Sequence, residues 1–171
     1  MRKFTIVLAF IGMITLQSCT TNDNQQPITD NDTISEVFEY SNNINFTAGN
    51  GYNLLLTYPH AIYTSDMVLV YRLSGITNQG ADIWKPLPET YFFDDGTLSF
   101  RYDFDFTQYD ADVFIEGYDI AGLDQSYKLN QVIRVVIVPA YFGKQSKVNL
   151  KDYDAVVKAF NIDESKIIKV Q

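Results

Sequence analysis

The chain has 171 residues, 46% of them apolar and 20% charged, with twelve Tyr, twelve Phe, one Cys and one His. That length suits one domain of ordinary size, and so many flat rings favour strands. A formal charge of −8 at pH 7 excludes nucleic acid and an electrostatic hold on anionic lipid, and the single cysteine excludes an intrachain disulfide.

At the amino end, Met1-Arg2-Lys3 is basic and Phe4 to Leu16, FTIVLAFIGMITL, is an apolar run. Such a run falls short of the ~20 residues needed to cross a bilayer as a helix, but fits the ~7–15 apolar residues of a secretory signal. Residues 1–18 are therefore expected to be a signal peptide that contributes nothing to the fold. Leu16-Gln17-Ser18-Cys19 resembles the lipobox of bacterial lipoproteins. The resemblance implies cleavage before Cys19 and acylation, including palmitate, of its thiol and of the new amino group. An exposed lone thiol is a liability in an oxidising compartment, and several acyl chains hold a protein durably where one does not.

Residues 19–35 are read as the lipidated cysteine followed by a polar linker too poor in apolar side chains to fold. Thr20, rather than an acid, follows the cysteine, and Asp23 lies close behind. That pattern favours the outer membrane, on its periplasmic or cell-surface side. Without Arg2 and Lys3, eleven basic residues face twenty-one acidic ones in the remaining chain. Membrane contact is thus expected through covalent lipid.

Residues 36–171 are expected to form one β domain. The spacing predicts a hairpin joining Ile44–Thr47 to Tyr52–Tyr58, with Asn50-Gly51 in the turn. Ser65–Leu73 is apolar on both faces and predicts a central strand. The prolines of Ile83–Pro88 mark an edge or a loop, since they cannot donate to a ladder. Asp94-Asp95-Gly96 predicts a second hairpin, between Tyr91–Phe93 and a strand in which Leu98, Phe100, Tyr102, Phe104 and Phe106 share one face. Ala111, Val113 and Ile115 alternate with acids and with Phe114, which places Phe114 outward. Gln131–Val138 predicts another inner strand, ended by Pro139. Asn149 is expected to cap a helix from Leu150 to about Phe160 that covers an end or an open edge, and Lys166–Val170 a last short strand. The whole predicts a mainly β fold, an antiparallel β-sandwich of which the immunoglobulin order is one form, with one short C-terminal helix.

Motifs for chemistry are sparse. His60 is the sole histidine and follows a strand-ending proline, with no recognisable nucleophile turn to serve, so a surface or structural role is expected and no catalytic residue is assigned. Asp103, Asp105, Asp110 and Asp112 are the nearest approach to a metal site. Their hard oxygens suit calcium, but no twelve-residue calcium loop accompanies them, and a solvated acidic face is the expected role, with no cofactor. Trp84, Tyr91 and Phe114 are the candidate contacts for a glycan or an envelope protein.

The LQSC box, the stretch VLVYRLSG, the segment from Asp82 to Gly117, the strand QVIRVVIVPA and the closing YDAVVKAFNIDESKI are similar to a group of uncharacterised lipoproteins from Bacteroidetes, especially flavobacteria. The similarity runs from about Asn53 to the end and carries no established activity. It implies a lipid-anchored envelope protein whose domain is a non-catalytic structural or binding module. A calcium- or glycan-binding surface protein is the first alternative, and an envelope hydrolase working through acidic residues the second.

Overall fold

The computed structural model describes residues 34–143 and 147–171. The expected signal peptide, Cys19 and the linker as far as residue 33 lie outside the described residues.

Nine strands form two sheets. The first, sheet A, has the order β4 (Asp82–Pro86), β3 (Met67–Ile76), β8 (Ile133–Val138), β1 (Glu36–Tyr40), β9 (Ile168–Val170). The second, sheet B, runs β2 (Asn53–Thr57), β7 (Asp110–Gly117), β6 (Leu98–Phe106), β5 (Glu89–Phe92). All pairings are antiparallel except that of β1 with β9. The mainly β fold and the sandwich read from the sequence are what the chain adopts. Consecutive strands β2 and β3 enter opposite sheets and pair with the consecutive strands β7 and β8, a crossing shared with immunoglobulin sandwiches. The departure is β1, which lies between β8 and β9.

Period-two alternation fills the space between the sheets. Phe38 and Tyr40 of β1, Val68 and Val70 of β3, and Ile133, Val135 and Ile137 of β8 meet Phe100 and Tyr102 of β6 and Ala111, Val113 and Ile115 of β7. Phe100 and Tyr102 are buried as the alternation of this strand predicts, whereas Leu98 and Phe106 at its ends are exposed. Tyr40 ties the layers by donating its hydroxyl to the Thr57 carbonyl at 2.8 Å. Pro86 closes β4, an edge strand, as the missing amide donor requires.

A one-turn helix α1 (Ala140–Gly143) follows Pro139, and helix α2 (Tyr153–Ala159) lies on the outer face of sheet A. This corrects the expected helix in three respects. It is shorter than Leu150–Phe160; Asp152 caps it by accepting from the Ala155 amide; and it covers a sheet face rather than an end or an edge. Asn149 accepts instead from the Lys151 amide, one step ahead of the helix, so the two residues divide the capping work. The face must be covered because Val37, Tyr71, Val136 and Val138 all point out of sheet A. Tyr153, Val156, Phe160 and Ile162 close over them. Asn161 ends the helix at φ 51°, and the Ile162 amide donates to the Val157 carbonyl, the six-to-one bond of a left-handed C-cap.

The hairpin expected at Ile44–Thr47 does not form. Thr47 and Asn50 cap a short 3₁₀ turn, Ala48–Asn50, reciprocally, and Asn50 also donates its amide to the Asn45 carbonyl. These local side-chain bonds replace a ladder, while Phe46 turns inward to pack on Tyr102 with ring centroids 5.8 Å apart. The positive φ angles fall on Gly51 and Tyr52.

At Gly117 a close approach of strands forbids a side chain. A Cβ there would meet the Ser99 carbonyl oxygen and lie 2.6 Å from Phe100 Cα. Replacing Gly117→Ala is expected to force β6 and β7 apart at that end and cost ~1–3 kcal/mol. Phe38→Ala, which empties a fully buried ring site, should cost ~3–5 kcal/mol. Both are read as a lower urea midpoint at unchanged slope; an unchanged midpoint for either contradicts the packing described.

Candidate functional site

The three rings expected to meet a ligand lie on three different surfaces. Trp84 sits on the outer face of sheet A, half-buried, 5.5 Å from the Tyr153 ring and under the Arg134 guanidinium at 4.2 Å. Tyr91 points between the sheets and stacks on Phe100 at 4.5 Å, nearly parallel. Phe114 lies on the bare face of sheet B, in register between Asn53 and Asp103. Side-chain period, invisible until each strand has a sheet and a register, separates them. They form no common platform.

The acids fare differently. Asp103 and Asp105 of β6 and Asp110 and Asp112 of β7 do share one face, the outer face of sheet B, with Asp105 directly opposite Asp112. Three of the four enter separate local bonds. Asp103 lies 3.3 Å from Arg101, Asp112 accepts from Asn53 at 2.9 Å and Asp110 from the Thr107 hydroxyl at 2.7 Å; Arg101 also pairs with Glu116. Among the described residues no three His, Cys, Asp or Glu side chains converge closely enough to hold a metal ion.

His60 stands at the end of the sandwich where β1 begins. Its Nε2 lies 3.0 Å from Glu36 Oε2, its Nδ1 3.2 Å from the Ala61 carbonyl oxygen, and its ring meets the Phe38 ring edge-on at 5.8 Å. Both ring nitrogens thus face oxygens. Glu36, His60 and Asp66 line a hollow of about 230 Å³ that contains none of the four sheet-B aspartates. The histidine and those carboxylates therefore serve no common centre.

Two buried arginines, which the sequence reading did not single out, organise the polar interior. Arg72 on β3 points between the sheets and holds Glu89 of β5 through two bonds of 3.0 and 2.9 Å. It also donates to Gln131 at 3.0 Å and to the Tyr91 hydroxyl at 3.2 Å, and lies 4.4 Å over the Tyr102 ring. Arg134, on the neighbouring strand β8, points the opposite way. It donates to Glu39 of β1 at 2.9 Å, to the Tyr153 hydroxyl at 2.8 Å and to Glu164 at 3.1 Å. Burial pulls the Arg134 guanidinium down from its ordinary pKa, but Tyr153 and Glu39 more than offset it and the net direction is up. A readable signal existed, because an arginine in the middle of a wholly apolar strand, as in VYRL and VIRVV, demands a buried acid.

A groove of about 370 Å³ runs beside the start of β1. Val37, Phe142, Phe160, Ile162 and Ile167 give it an apolar floor, and Asp163 and Lys166 stand at its rim, 3.5 Å apart. It lies at the end of the domain that the preceding chain joins, since Ile34 and Ser35 form part of its wall.

Compared with known proteins, the chain matches no family model, no curated protein and no solved structure. The geometry must therefore be read by itself. Among the described residues it holds two structural ion-pair clusters, a dispersed acidic sheet face, a histidine–glutamate pair and an apolar groove. Among the described residues, no nucleophile, base and orienting group are aligned by any of these contacts.

Burial raises the phenols of Tyr40, Tyr58, Tyr71, Tyr91, Tyr102 and Tyr153, that of Tyr91 to about 12, with its bond to Glu89 adding to the effect. A raised folded pKa means that the stability these groups contribute is complete below the ordinary value near 10 and is lost as pH climbs through the folded value. Phenolate absorbance from these six tyrosines should thus appear only above the ordinary value, together with unfolding. Their ionisation near pH 10 in folded protein contradicts this burial. Arg134→Met should cost ~3–5 kcal/mol by stranding Glu39, and Glu39→Leu in the same chain should restore much of it. The urea midpoints of the two single variants and the double variant measure the coupling.

Proposed function

We propose that this chain is a lipid-anchored protein of the bacterial outer membrane, held by acyl groups on Cys19, whose folded domain is a non-catalytic binding or structural module. The observation that carries the proposal is the order of segments. An apolar run too short to span, Phe4–Leu16, runs into Leu16-Gln17-Ser18-Cys19; polar chain follows, and the first strand among the described residues starts at Glu36. No helix among the described residues is long and apolar enough to cross a membrane, which is compatible with attachment through lipid. On this reading the chain stands with the uncharacterised Bacteroidetes lipoproteins it resembles.

The non-catalytic part is supported by the dispersal of the titratable groups. The hydrolase alternative needs His60 or the sheet-B aspartates in one pocket, and they occupy separate places. The glycan alternative, as framed on Trp84, Tyr91 and Phe114, lacks a shared surface, and calcium lacks a convergent set of ligands among the described residues. Contact with an envelope partner is then expected at the ends of the sandwich, where loops and exposed rings lie.

Growth of the producing cells with radiolabelled palmitate tests the anchor. The parent chain is expected to carry label and to sediment with outer membranes; Cys19→Ala should lose both properties while keeping the fold. Recovery of unlabelled protein from the cytosol with Met1–Ser18 still attached defeats the proposal.

A further inference from the structure

Both ends of the sandwich expose aromatic side chains, and they differ in where the preceding chain joins. At the end where β1 starts, Tyr63, Phe106, Tyr109 and Tyr141 are between 47 and 56% exposed. Three of these surround the loop after β2, whose His60 meets the first residue of β1. Glu36 pairs with His60; the Tyr58 amide donates to the Tyr109 carbonyl and the Ile62 amide to the Gln108 carbonyl; and Tyr63 and Phe106 flank one hollow with Gln108. Tyr141 belongs to α1, directly after β8, whose last residues lie beside Glu36.

Acids stand at both ends and are bonded locally at both. At this end Glu36 faces His60, Asp66 accepts from the Tyr63 amide at 3.0 Å, Asp110 accepts from Thr107 and Asp163 pairs with Lys166. The opposite end carries Phe92, Phe93, Leu98 and Tyr118, with Asp95 accepting from Thr97 and Asp119 from Gly122. Exposure and charge do not choose between the ends; the attachment point does.

We propose that the Tyr63–Phe106–Tyr109 end, together with Tyr141, rests on the lipid surface to which the chain is tethered, with the rings at headgroup level and the opposite end held away from the membrane. This rests on the lipid-anchor reading above. Residues 20–33 reach ~50 Å at most when fully extended, at ~3.3–3.6 Å per residue, and they join the domain at Ile34 on this same end. Tethering makes the contact intramolecular, so rings of modest individual affinity suffice to hold it. Tyr and Phe fit this role because an amphipathic or flat ring settles at the water–hydrocarbon boundary. A net negative domain selects a zwitterionic surface and is repelled by an anionic one.

The test uses the full acylated protein in phosphatidylcholine vesicles. Acylation occupies the native thiol of Cys19, so Thr64→Cys and Asp94→Cys, one at each end, each take a single nitroxide label. The expected result is a several-fold higher ratio of oxygen to nickel-chelate collisions at position 64 than at position 94. Replacing Tyr63, Phe106 and Tyr109 together by Ser should bring position 64 down to the aqueous value. Should that variant fail to fold, the two labels in chains with all rings intact decide by themselves. A palmitate-labelled protein in which both positions are equally aqueous, or in which position 94 is the immersed one, overturns the docking proposal and leaves the anchor standing. A chain that takes up no palmitate overturns both.

Discussion

Strand β8 has to be covered on both faces, and the rest of the fold follows from that. Ile133, Val135 and Ile137 face sheet B, Val136 and Val138 face the helical layer, and Arg134 is the one charged residue among them. A strand of this kind cannot stand at an edge, because its polar backbone needs ladder partners on both sides; β3 and β1 supply them. It also cannot belong to a two-layer sandwich with a wet outer face. The short helix α2 is needed for its area more than for its length, since seven residues in a helix have little stability without packing. Tyr71 helps to fix that layer by donating its hydroxyl to the Leu150 carbonyl at 2.7 Å.

Arg72 and Arg134 then divide the electrostatic work. They occupy neighbouring strands, point to opposite sides of sheet A and each meet a glutamate from another strand. Inside the sandwich, Arg72–Glu89 joins the two sheets. Outside, Arg134 joins β8 to β1 through Glu39 and to the carboxyl-terminal segment through Tyr153 and Glu164. Such pairs contribute less to net stability than their geometry suggests, because desolvation offsets much of the attraction. Their effect is on register: slipping β1 by one residue would bury Glu39 between the sheets and turn Phe38 outward. On the outer face of sheet B the one comparable group among the described residues, Arg101 with Asp103 and Glu116, is open to solvent, and acids keep that surface solvated.

Where one periodicity dominates a segment, the fold is legible in the sequence. The alternation from Leu98 to Phe106 and the two apolar faces of Ser65–Leu73 identify a half-buried and a central strand without tertiary information. β1 was hidden because Glu36 and Glu39 interrupt a five-residue run, and its partner for Glu39 lies far along the chain at Arg134. The Ile44–Thr47 arm misled because Asn50-Gly51 fits a hairpin turn as well as a capped 3₁₀ turn, and the choice is made by side-chain bonds from Thr47 and Asn50. Candidate contacts were less legible than the fold. Exposure of Trp84, Tyr91 and Phe114 depends on which sheet each strand joins, and composition carries no trace of that. Asp103 and Asp105 share a face by strand parity, and Asp110 and Asp112 join it through the β6–β7 register, yet convergence is a matter of ångströms that parity does not fix.

The position of β1 also bears on how the fold closes. It is the first strand among the described residues but an inner one in sheet A: Glu36 meets Ile137 and Tyr40 meets Val170, near the opposite end of the sequence. Sheet A therefore cannot close until the last strand is present, and such distant pairing slows folding because loop closure precedes any gain from contact. Once closed, the same arrangement resists a pull from the amino-terminal side. A pull on the residues before Glu36 acts along β1, which is laddered on both sides to β8 and β9, so the bonds of both ladders bear the load together rather than opening one at a time from an edge.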